Sequence, residues 1–143
     1  MIKMVPVSTD HLHEMRKMSG LFNHIDIDHV GHALIKVGVG FAMLENDHCI
    51  GCGGVIPRWK GVGEVWIAVS ETLKNRPLLL VKETLRCIHM LNERGGFHRL
   101  QLHIPSTDAG LKRWAESLGF TFEGRMIQYG SDKRDHDLYA RIF

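Results

Sequence analysis

The hydrophobic pattern of residues 63–104 changes period twice, and this change constrains the fold most. "GEVWIAVS" and "HRLQLHI" are rich in strand-forming residues, whereas residues 76–93 between them repeat their apolar positions with helical spacing. Pro77 suits the first turn of that helix, and Gly95 and Gly96 suit its end. The predicted buried rows are Leu80, Thr84, Cys87 and Leu91, and Val81, Leu85 and Ile88, opposite Lys82, Arg86, His89 and Glu93. A strand–helix–strand unit of this kind favours an α/β fold.

The remaining segments extend this unit to a mixed sheet with helices on its faces. Residues 2–7 indicate a strand, and Ser8, Thr9 or Asp10 caps a helix that includes Leu12, Met15 and Met18. Further predictions are a helix over 26–36, a hairpin with its turn at 45–47, a helix over 107–117 that ends near Gly119, and two final strands in "FTFEGRMIQYG" and "HDLYARIF". The predicted order is β-α-α-β-β-β-α-β-α-β-β.

Length and charge set the class of protein. A chain of 143 residues without repeats or linkers predicts one domain over 1–143 with a substantial core. The net charge of +2 makes nucleic acid an unfavoured partner. No apolar run reaches the about 20 residues of a membrane helix, and the N-terminus lacks the pattern of a signal peptide. We therefore expect a cytoplasmic protein.

Cysteine and histidine spacing raises the question of a metal or redox site. Three cysteines, an odd number, argue against a disulfide framework. Cys49 and Cys52 form a CxxC, but residues i and i+3 of a regular strand point to opposite faces, so we expect two ordinary strand cysteines. His29 and His32 share a predicted helix face without an evident third ligand, and we expect no metal.

Two longer segments resemble a known superfamily. "STDAGLKRWAESLGFTFEGR", with its helix ending in Leu-Gly-Phe before a strand, and the predicted element order resemble the GCN5-related N-acetyltransferase (GNAT) superfamily over nearly the whole chain. The ending "QYGSDKRDHDLYARIF" is similar to short members encoded by phages and prophages. The resemblance implies binding of acetyl-CoA and acetylation of an amine.

The same resemblance assigns a cofactor turn to "SETLKNRPLLL", where the family usually has a glycine-rich phosphate loop. The glycines are absent here, but a helix N-terminus remains. Lys74 and Arg76 would supply positive charge, and Leu78 and Leu79 would supply backbone N–H groups for the pyrophosphate. The alternative is a plain strand-to-helix turn with solvated basic residues.

Other cofactor contacts follow from the resemblance. Ile67 and Val69 on "EVWIAV" would pair their main chain with the pantetheine arm and polarise the thioester carbonyl. Ser106 would contact the thiol end of CoA, with helix capping as the alternative.

Catalytic residues are assigned in the same way. Glu64 would be the general base, directly or through a water, unless it is only an exposed carboxylate at a strand end. The usual tyrosine acid is replaced by Ala115. Asp108 lies where relatives often have asparagine near the thiol, with helix capping as the alternative. Tyr129 on a neighbouring strand is a substitute acid unless it merely packs at a sheet edge. His103 would line the cofactor cleft or serve as a strand-end histidine.

The resulting hypothesis is an acetyl-CoA-dependent N-acetyltransferase that transfers the acetyl group by direct attack of an amine, from a small molecule or a protein. The alternative is a catalytically degenerate protein of the same fold that binds a phage or host partner or serves as a structural component. Exposed strand edges would also allow a homodimer.

Overall fold

A computed structural model describes residues 1–15, 19–20, 36 and 38–143. Its sheet has the strand order β1-β3-β4-β5-β6-β8-β7, and β2 pairs with β5. The strands are β1 (Ile2–Pro6), β2 (Ser19–Gly20), β3 (Val39–Glu45), β4 (His48–Trp59), β5 (Val62–Val69), β6 (Arg99–Pro105), β7 (Thr121–Met126) and β8 (His136–Ile142). The described helices are α1 (Thr9–Glu14), α2 (Glu71–Lys74), α3 (Pro77–Gly95) and α4 (Ala109–Ser117).

The predicted α/β class and the order of the longer elements are confirmed. The predicted helix over 26–36 lies almost entirely outside the described residues, as do His29 and His32. The two-residue strand β2 and the four-residue helix α2 were not predicted, because such short elements have no measurable hydrophobic period. Among the described helices, none is long and apolar enough to cross a membrane.

The described residues form two compact units, and the first consists of Met1–Pro57 and Val65–Leu80. Here β3 pairs antiparallel with β1 and with β4. The β3–β4 hairpin turns at Asn46 and Asp47, whose φ angles of 51° and 65° are those that a two-residue hairpin loop requires. The core of this unit consists of Val7, Leu12, Met15, Ala42, Cys49, Cys52, Trp66 and Ala68.

The register of the hairpin corrects the expectation for the two cysteines. Cys52 pairs with Ala42 and Cys49 pairs with Leu44, and the register shifts between Met43 and Leu44. Ile50 is the additional residue of a β-bulge, which breaks the alternation of faces along β4. Because Ala42 and Leu44 are two residues apart on β3 and share a face, their partners Cys49 and Cys52 also share a face.

The second unit consists of Arg58–Glu64 and Val81–Phe143. In it β5 pairs parallel with β6 over Val62–Glu64, β6 pairs antiparallel with β8, and β8 pairs with β7. Helix α4 ends at Ser117, and two residues later Gly119 has a φ of 85° that allows Phe120 N–H to donate back to Ala115 C=O at 3.0 Å. The buried residues of this unit include Leu100, Leu102, Ile104, Leu111, Trp114, Ala115, Leu118 and Phe120.

Candidate active site

The Glu64 carboxylate is the central group of a polar cluster in the second unit. It is 8% exposed, although it lies in a strand of otherwise apolar or small residues. Arg58 Nε donates to its Oε2 at 3.0 Å, and Gln101 Nε2 donates to the same oxygen at 3.3 Å. These two donors hold the carboxylate in one orientation and leave Oε1 facing His103 Nε2 at 3.7 Å. The exposed strand-end carboxylate considered as the alternative is not what the structure has.

His103 connects this carboxylate to a second imidazole. Its Nδ1 lies 2.9 Å from His136 Nδ1, so one ring donates and the other accepts. If His103 donated, its bare Nε2 lone pair would face the Glu64 carboxylate. The favourable arrangement has His136 Nδ1–H donating to His103 Nδ1 and His103 Nε2–H directed toward Glu64. Burial lowers the pKa of His103, the Glu64 charge opposes this shift, and His136 and Arg58 add to it.

Tyr129 covers the two histidines with its ring. Its centroid lies 4.7 Å from that of His103 in an edge-on arrangement and 5.6 Å from that of His136. Tyr129 was predicted on a strand, and this is wrong: β7 ends at Met126, and Gln128 has a φ of 55° that turns the chain out of the sheet. From this loop Tyr129 is half-exposed and faces both solvent and the imidazoles. The structure therefore brings together Glu64, His103 and Tyr129.

The Ser106 hydroxyl is hydrogen-bonded to a buried carboxylate, Asp137. Its Oδ1 accepts from Ser106 Oγ at 2.8 Å and from Arg125 Nε at 3.0 Å, and its Oδ2 lies 2.8 Å from Lys112 Nζ. Burial alone would raise the pKa of Asp137, but the hydrogen bonds from Arg125, Lys112 and Ser106 outweigh burial and hold that pKa well below its ordinary value. The Ser106 hydroxyl proton is thus committed to Asp137.

Asp108 is the N-cap of helix α4, since its Oδ1 accepts from Leu111 N–H at 3.0 Å. Helix capping was the alternative considered for both Asp108 and Ser106 and was favoured for Ser106; the structure has Asp108 as the cap. Ala115, at the position of the usual tyrosine acid, is fully buried. The tyrosine whose ring contacts His103 and His136 is Tyr129.

In the first unit, the predicted cofactor turn contains the short helix α2. Ser70 Oγ accepts from Leu73 N–H at 3.2 Å, and Ser70 N–H donates to Ile50 C=O at 3.0 Å. The two basic residues have acidic neighbours: Lys74 Nζ lies 3.8 Å from a Glu71 carboxylate oxygen. Arg76 Nη1 donates to Glu45 Oε2 at 2.6 Å. An anion at this turn would have to compete with Glu45 for Arg76.

The start of α3 presents backbone donors. The first backbone bond of this helix joins Leu80 N–H to Arg76 C=O at 3.1 Å. The N–H groups of Leu78 and Leu79 precede that bond and are donors that a helix N-terminus leaves without intrahelical partners. The first turn contains no acidic residue, and Leu78 is 85% exposed. The residue types and the helix end therefore fit an anionic group.

Ile67 and Val69 lie near the end of β5 with buried side chains. Because Ser70 N–H bonds to Ile50 of β4, β4 borders one edge of β5 up to its end. The pairing of Val69 with Ser19 and of Ala68 with Gly20 therefore uses the opposite edge. At Val69, therefore, β2 borders the edge of β5 whose main chain was predicted to pair with the cofactor.

Sequence reasoning missed Arg58, Gln101, His136 and Asp137. Arg58 and Gln101 look like ordinary surface residues in the sequence. The register of β5 against β6 places Gln101 opposite Glu64, and Arg58 reaches the same carboxylate from β4. His136 and Asp137 did give a signal in the sequence, because they are two polar residues that lie at the start of a predicted strand and not in a turn. Both are buried.

Comparisons with known proteins give matches by structure and not by sequence. No family model and no curated protein matches the sequence. Among solved structures, the chain is similar to an IAA acetyltransferase from Bacillus cereus ATCC 14579, with a TM-score of 0.79 and 13% identity over 100% of both chains. It is also similar to the ribosomal-protein-S18-alanine N-acetyltransferase from Escherichia coli, with a TM-score of 0.78 and 15% identity over 99% of this chain and 94% of that one.

A third similar structure is a GNAT family acetyltransferase from Elizabethkingia anophelis with acetyl-CoA bound, with a TM-score of 0.73 and 14% identity over 99% of this chain and 98% of that one. At such identities the likeness establishes the fold. The chain has the mixed α/β fold of the GNAT acetyltransferases, as its sequence predicted.

Proposed function

We propose that this chain is an acetyl-CoA-dependent N-acetyltransferase in which residues 1–143 act as one acyl-CoA-binding domain. The observation that carries the proposal is a buried carboxylate, Glu64, held by Arg58 and Gln101 three residues before Ile67 on the same strand. Strand β5 would then contain a base, followed along the strand by the main-chain groups that would polarise a thioester. Fold alone does not define function, so this local chemistry is essential to the proposal.

The cofactor would be bound mainly by main-chain groups and two cations. The Leu78 and Leu79 amides at the start of α3, with Lys74 and Arg76, would hold the pyrophosphate. Ile67 and Val69 would hold the pantetheine arm, and Ser106 would approach its thiol end. Bound acetyl-CoA supplies an activated acyl group as a thioester.

Each residue then has a defined task in direct transfer. Glu64 accepts a proton from the acceptor ammonium, which frees the nitrogen lone pair to form the new C–N bond. An N–H of Ile67 or Val69 donates to the carbonyl oxygen as negative charge develops there, a contribution of about 3 to 4 kcal/mol when such a donor is preorganised. Breaking of the C–S bond leaves a thiolate, and Tyr129 or Asp108 returns a proton to it.

Of these two acids, Tyr129 is favoured by its surroundings. Its ring contacts the His103 and His136 rings, which lie next to Glu64. Asp108 instead uses its carboxylate to cap α4. A Tyr129→Phe variant that retains full activity would exclude the tyrosine and leave Asp108 or solvent as the acid.

The proposal is tested by calorimetric titration of purified protein with acetyl-CoA, repeated with Lys74→Ala and Arg76→Ala. We expect micromolar binding, equivalent to about 8 kcal/mol, that either substitution weakens. An acceptor screen with small polyamines and with peptide N-termini then follows. No binding at high concentration of acetyl-CoA would overturn the proposal.

A second candidate is a protein of this fold without acetyltransferase activity. Specific features favour it: the turn lacks glycine, Arg76 is paired with Glu45, and β2 borders the Val69 edge. Such a protein would bind a phage or host protein or act as a structural component, in the host cytoplasm or a virion. It would purify without CoA, whereas the enzyme would be expected to retain some. A homodimer is compatible with either candidate and is tested by sedimentation.

A further inference from the structure

The bulge in β4 places two thiols next to each other in the core of the first unit. Cys49 and Cys52 share a face of the sheet because their partners Leu44 and Ala42 do, and their exposures are 3% and 5%. We propose that Cys49 and Cys52 form a redox-active dithiol that is converted reversibly to an intramolecular disulfide. This site is independent of the proposed acetyltransferase activity.

The contacts of the two sulfur atoms support this pairing. Both side chains belong to the same buried cluster. The Cys49 thiol donates to Gly51 C=O at 3.5 Å, and the Cys52 side chain is a second hydrogen-bond partner of Cys49. This second bond lowers the pKa of Cys49, with burial opposing it, and it raises the pKa of Cys52 together with burial. Cys49 is therefore the thiol that ionises first and acts as the nucleophile.

The spacing allows a disulfide, but one under strain. Partners two residues apart on β3 place the two cysteines about 6.7 Å apart along the strand direction. Disulfides usually join Cα atoms about 4.4 to 6.8 Å apart and Cβ atoms about 3.5 to 4.5 Å apart. The Cα spacing of this pair is at the upper limit, and the bulge has to shift to bring the two Cβ atoms within the second range. Strained disulfides are the easily reduced ones, and a loop this short contributes little entropic stabilisation. A reversible modification fits these conditions better than a structural crosslink does.

The bulge also connects the dithiol to other elements of the unit. Cys49 N–H donates to Glu14 Oε1 of the α1 helix at 2.9 Å, and Ile50 C=O accepts from Ser70 N–H at the start of the α2 turn. Drawing the two cysteines together shortens the bulge between them. Oxidation is therefore expected to change the environment of α1 and of the α2 turn.

The oxidation requires a two-electron oxidant that reaches a covered site. A small diazene such as diamide serves: Cys49 thiolate adds to one nitrogen, and Cys52 thiolate then attacks the Cys49 sulfur and expels the hydrazine. The S–S bond forms, two electrons and the two thiol protons end on the former N=N bond, and dithiothreitol reverses the reaction.

The test is intact-mass and peptide mapping of the folded full chain after diamide treatment and alkylation. We expect a loss of the mass of two hydrogen atoms, two fewer alkylated cysteines, and a peptide linking Cys49 to Cys52. Cys87 provides the internal control, because it lies on helix α3 and does not belong to the cluster in which Cys49 and Cys52 are neighbours. Burial and the Glu83 charge also raise its pKa to about 11, which disfavours its thiolate. Cys87→Ser should react as the wild type does, whereas Cys49→Ser and Cys52→Ser should not form the crosslink.

Two results would overturn the proposal. One is an unchanged mass for the folded wild-type chain when the same diamide treatment crosslinks the chain unfolded in urea. The other is a crosslink that involves Cys87 in place of either strand cysteine. Since both results come from the wild-type chain, misfolding of a serine variant does not affect them.

Discussion

His103 Nδ1 and His136 Nδ1 lie 2.9 Å apart, and this contact requires that at least one of the two nitrogens is unprotonated. His103 lies on β6 and His136 on β8, which are adjacent antiparallel strands. A proton on both nitrogens would remove the hydrogen bond and place two cations side by side. The pair therefore requires at least one neutral imidazole.

This pairing predicts a pH-dependent stability. Burial holds the pKa of His103 below its ordinary value of about 6.5, so the unfolded chain binds more protons than the folded chain once the pH falls toward and below that value. The stabilisation from neutral His103 is present above about pH 6.5 and is lost as the pH falls through its folded pKa. In urea unfolding at pH 7.5 and 5.5, His103→Gln should lose less stability between the two pH values than the wild type. An equal loss in both would contradict the assignment.

Asp137, an acidic group, predicts a second effect of pH on stability. Because its folded pKa is depressed, its stabilisation is complete above about pH 3.9, the ordinary carboxyl value, and decreases as the pH falls below it. Asp137→Asn should lower the free energy of unfolding at pH 7 by about 1 to 3 kcal/mol, since charged donors lose their acceptor. It should also flatten the decline in stability below pH 4. Asp47→Asn, an exposed change in the hairpin turn, serves as control and should retain the wild-type profile.

The fold was largely predictable because its elements have strong local signals. Helices α3 and α4 have apolar faces and terminating glycines, α4 has an N-cap in Asp108, and the β3–β4 turn has residues that accept positive φ. The β-bulge at Ile50 was not predictable, because it depends on the pairing of β3 with β4 and no particular residue type marks it in the sequence. One inserted residue was enough to reverse the expected facing of Cys49 and Cys52.

The candidate site was predictable only residue by residue. Glu64, His103 and Tyr129 were each candidates from the sequence, Glu64 and His103 from their positions in segments that resemble the family and Tyr129 from its residue type. Their connection through His103 and His136 depends on which residues are adjacent across β5, β6 and β8, and a single sequence contains no record of those registers. The Arg76–Glu45 pair was missed for the same reason, because 31 positions separate its members.

The role of Glu64 is tested by Glu64→Gln. The amide retains an oxygen that accepts from Arg58 and Gln101 but cannot take a proton from the acceptor ammonium. Activity should fall by about 10²- to 10⁴-fold, the usual contribution of a general base. Only acceptor that is already deprotonated reacts without a base, so the deficit should be larger at low pH. Initial rates measured across pH in the presence of saturating acetyl-CoA check this expectation.

A matched control for that variant is Glu123→Gln. Glu123 is also a carboxylate bound by an arginine, with its Oε1 2.6 Å from Arg99 Nη2, but it lies at the surface on β7. It should retain wild-type rates and the wild-type pH profile. An unchanged pH profile for Glu64→Gln would exclude Glu64 as the base.

The pair of Arg76 and Glu45 predicts a gain of function. Glu45 holds Arg76 at 2.6 Å, and a phosphate at the α3 N-terminus would have to displace it. A partly exposed ion pair is worth about 0.2 to 1 kcal/mol, so Glu45→Gln should tighten acetyl-CoA binding by up to about fivefold. The gain should disappear in a Glu45→Gln, Arg76→Ala double variant, measured by the same calorimetric titration. Unchanged or weaker binding by Glu45→Gln alone would mean that Arg76 does not meet the phosphate and serves to hold the turn against the β3–β4 hairpin.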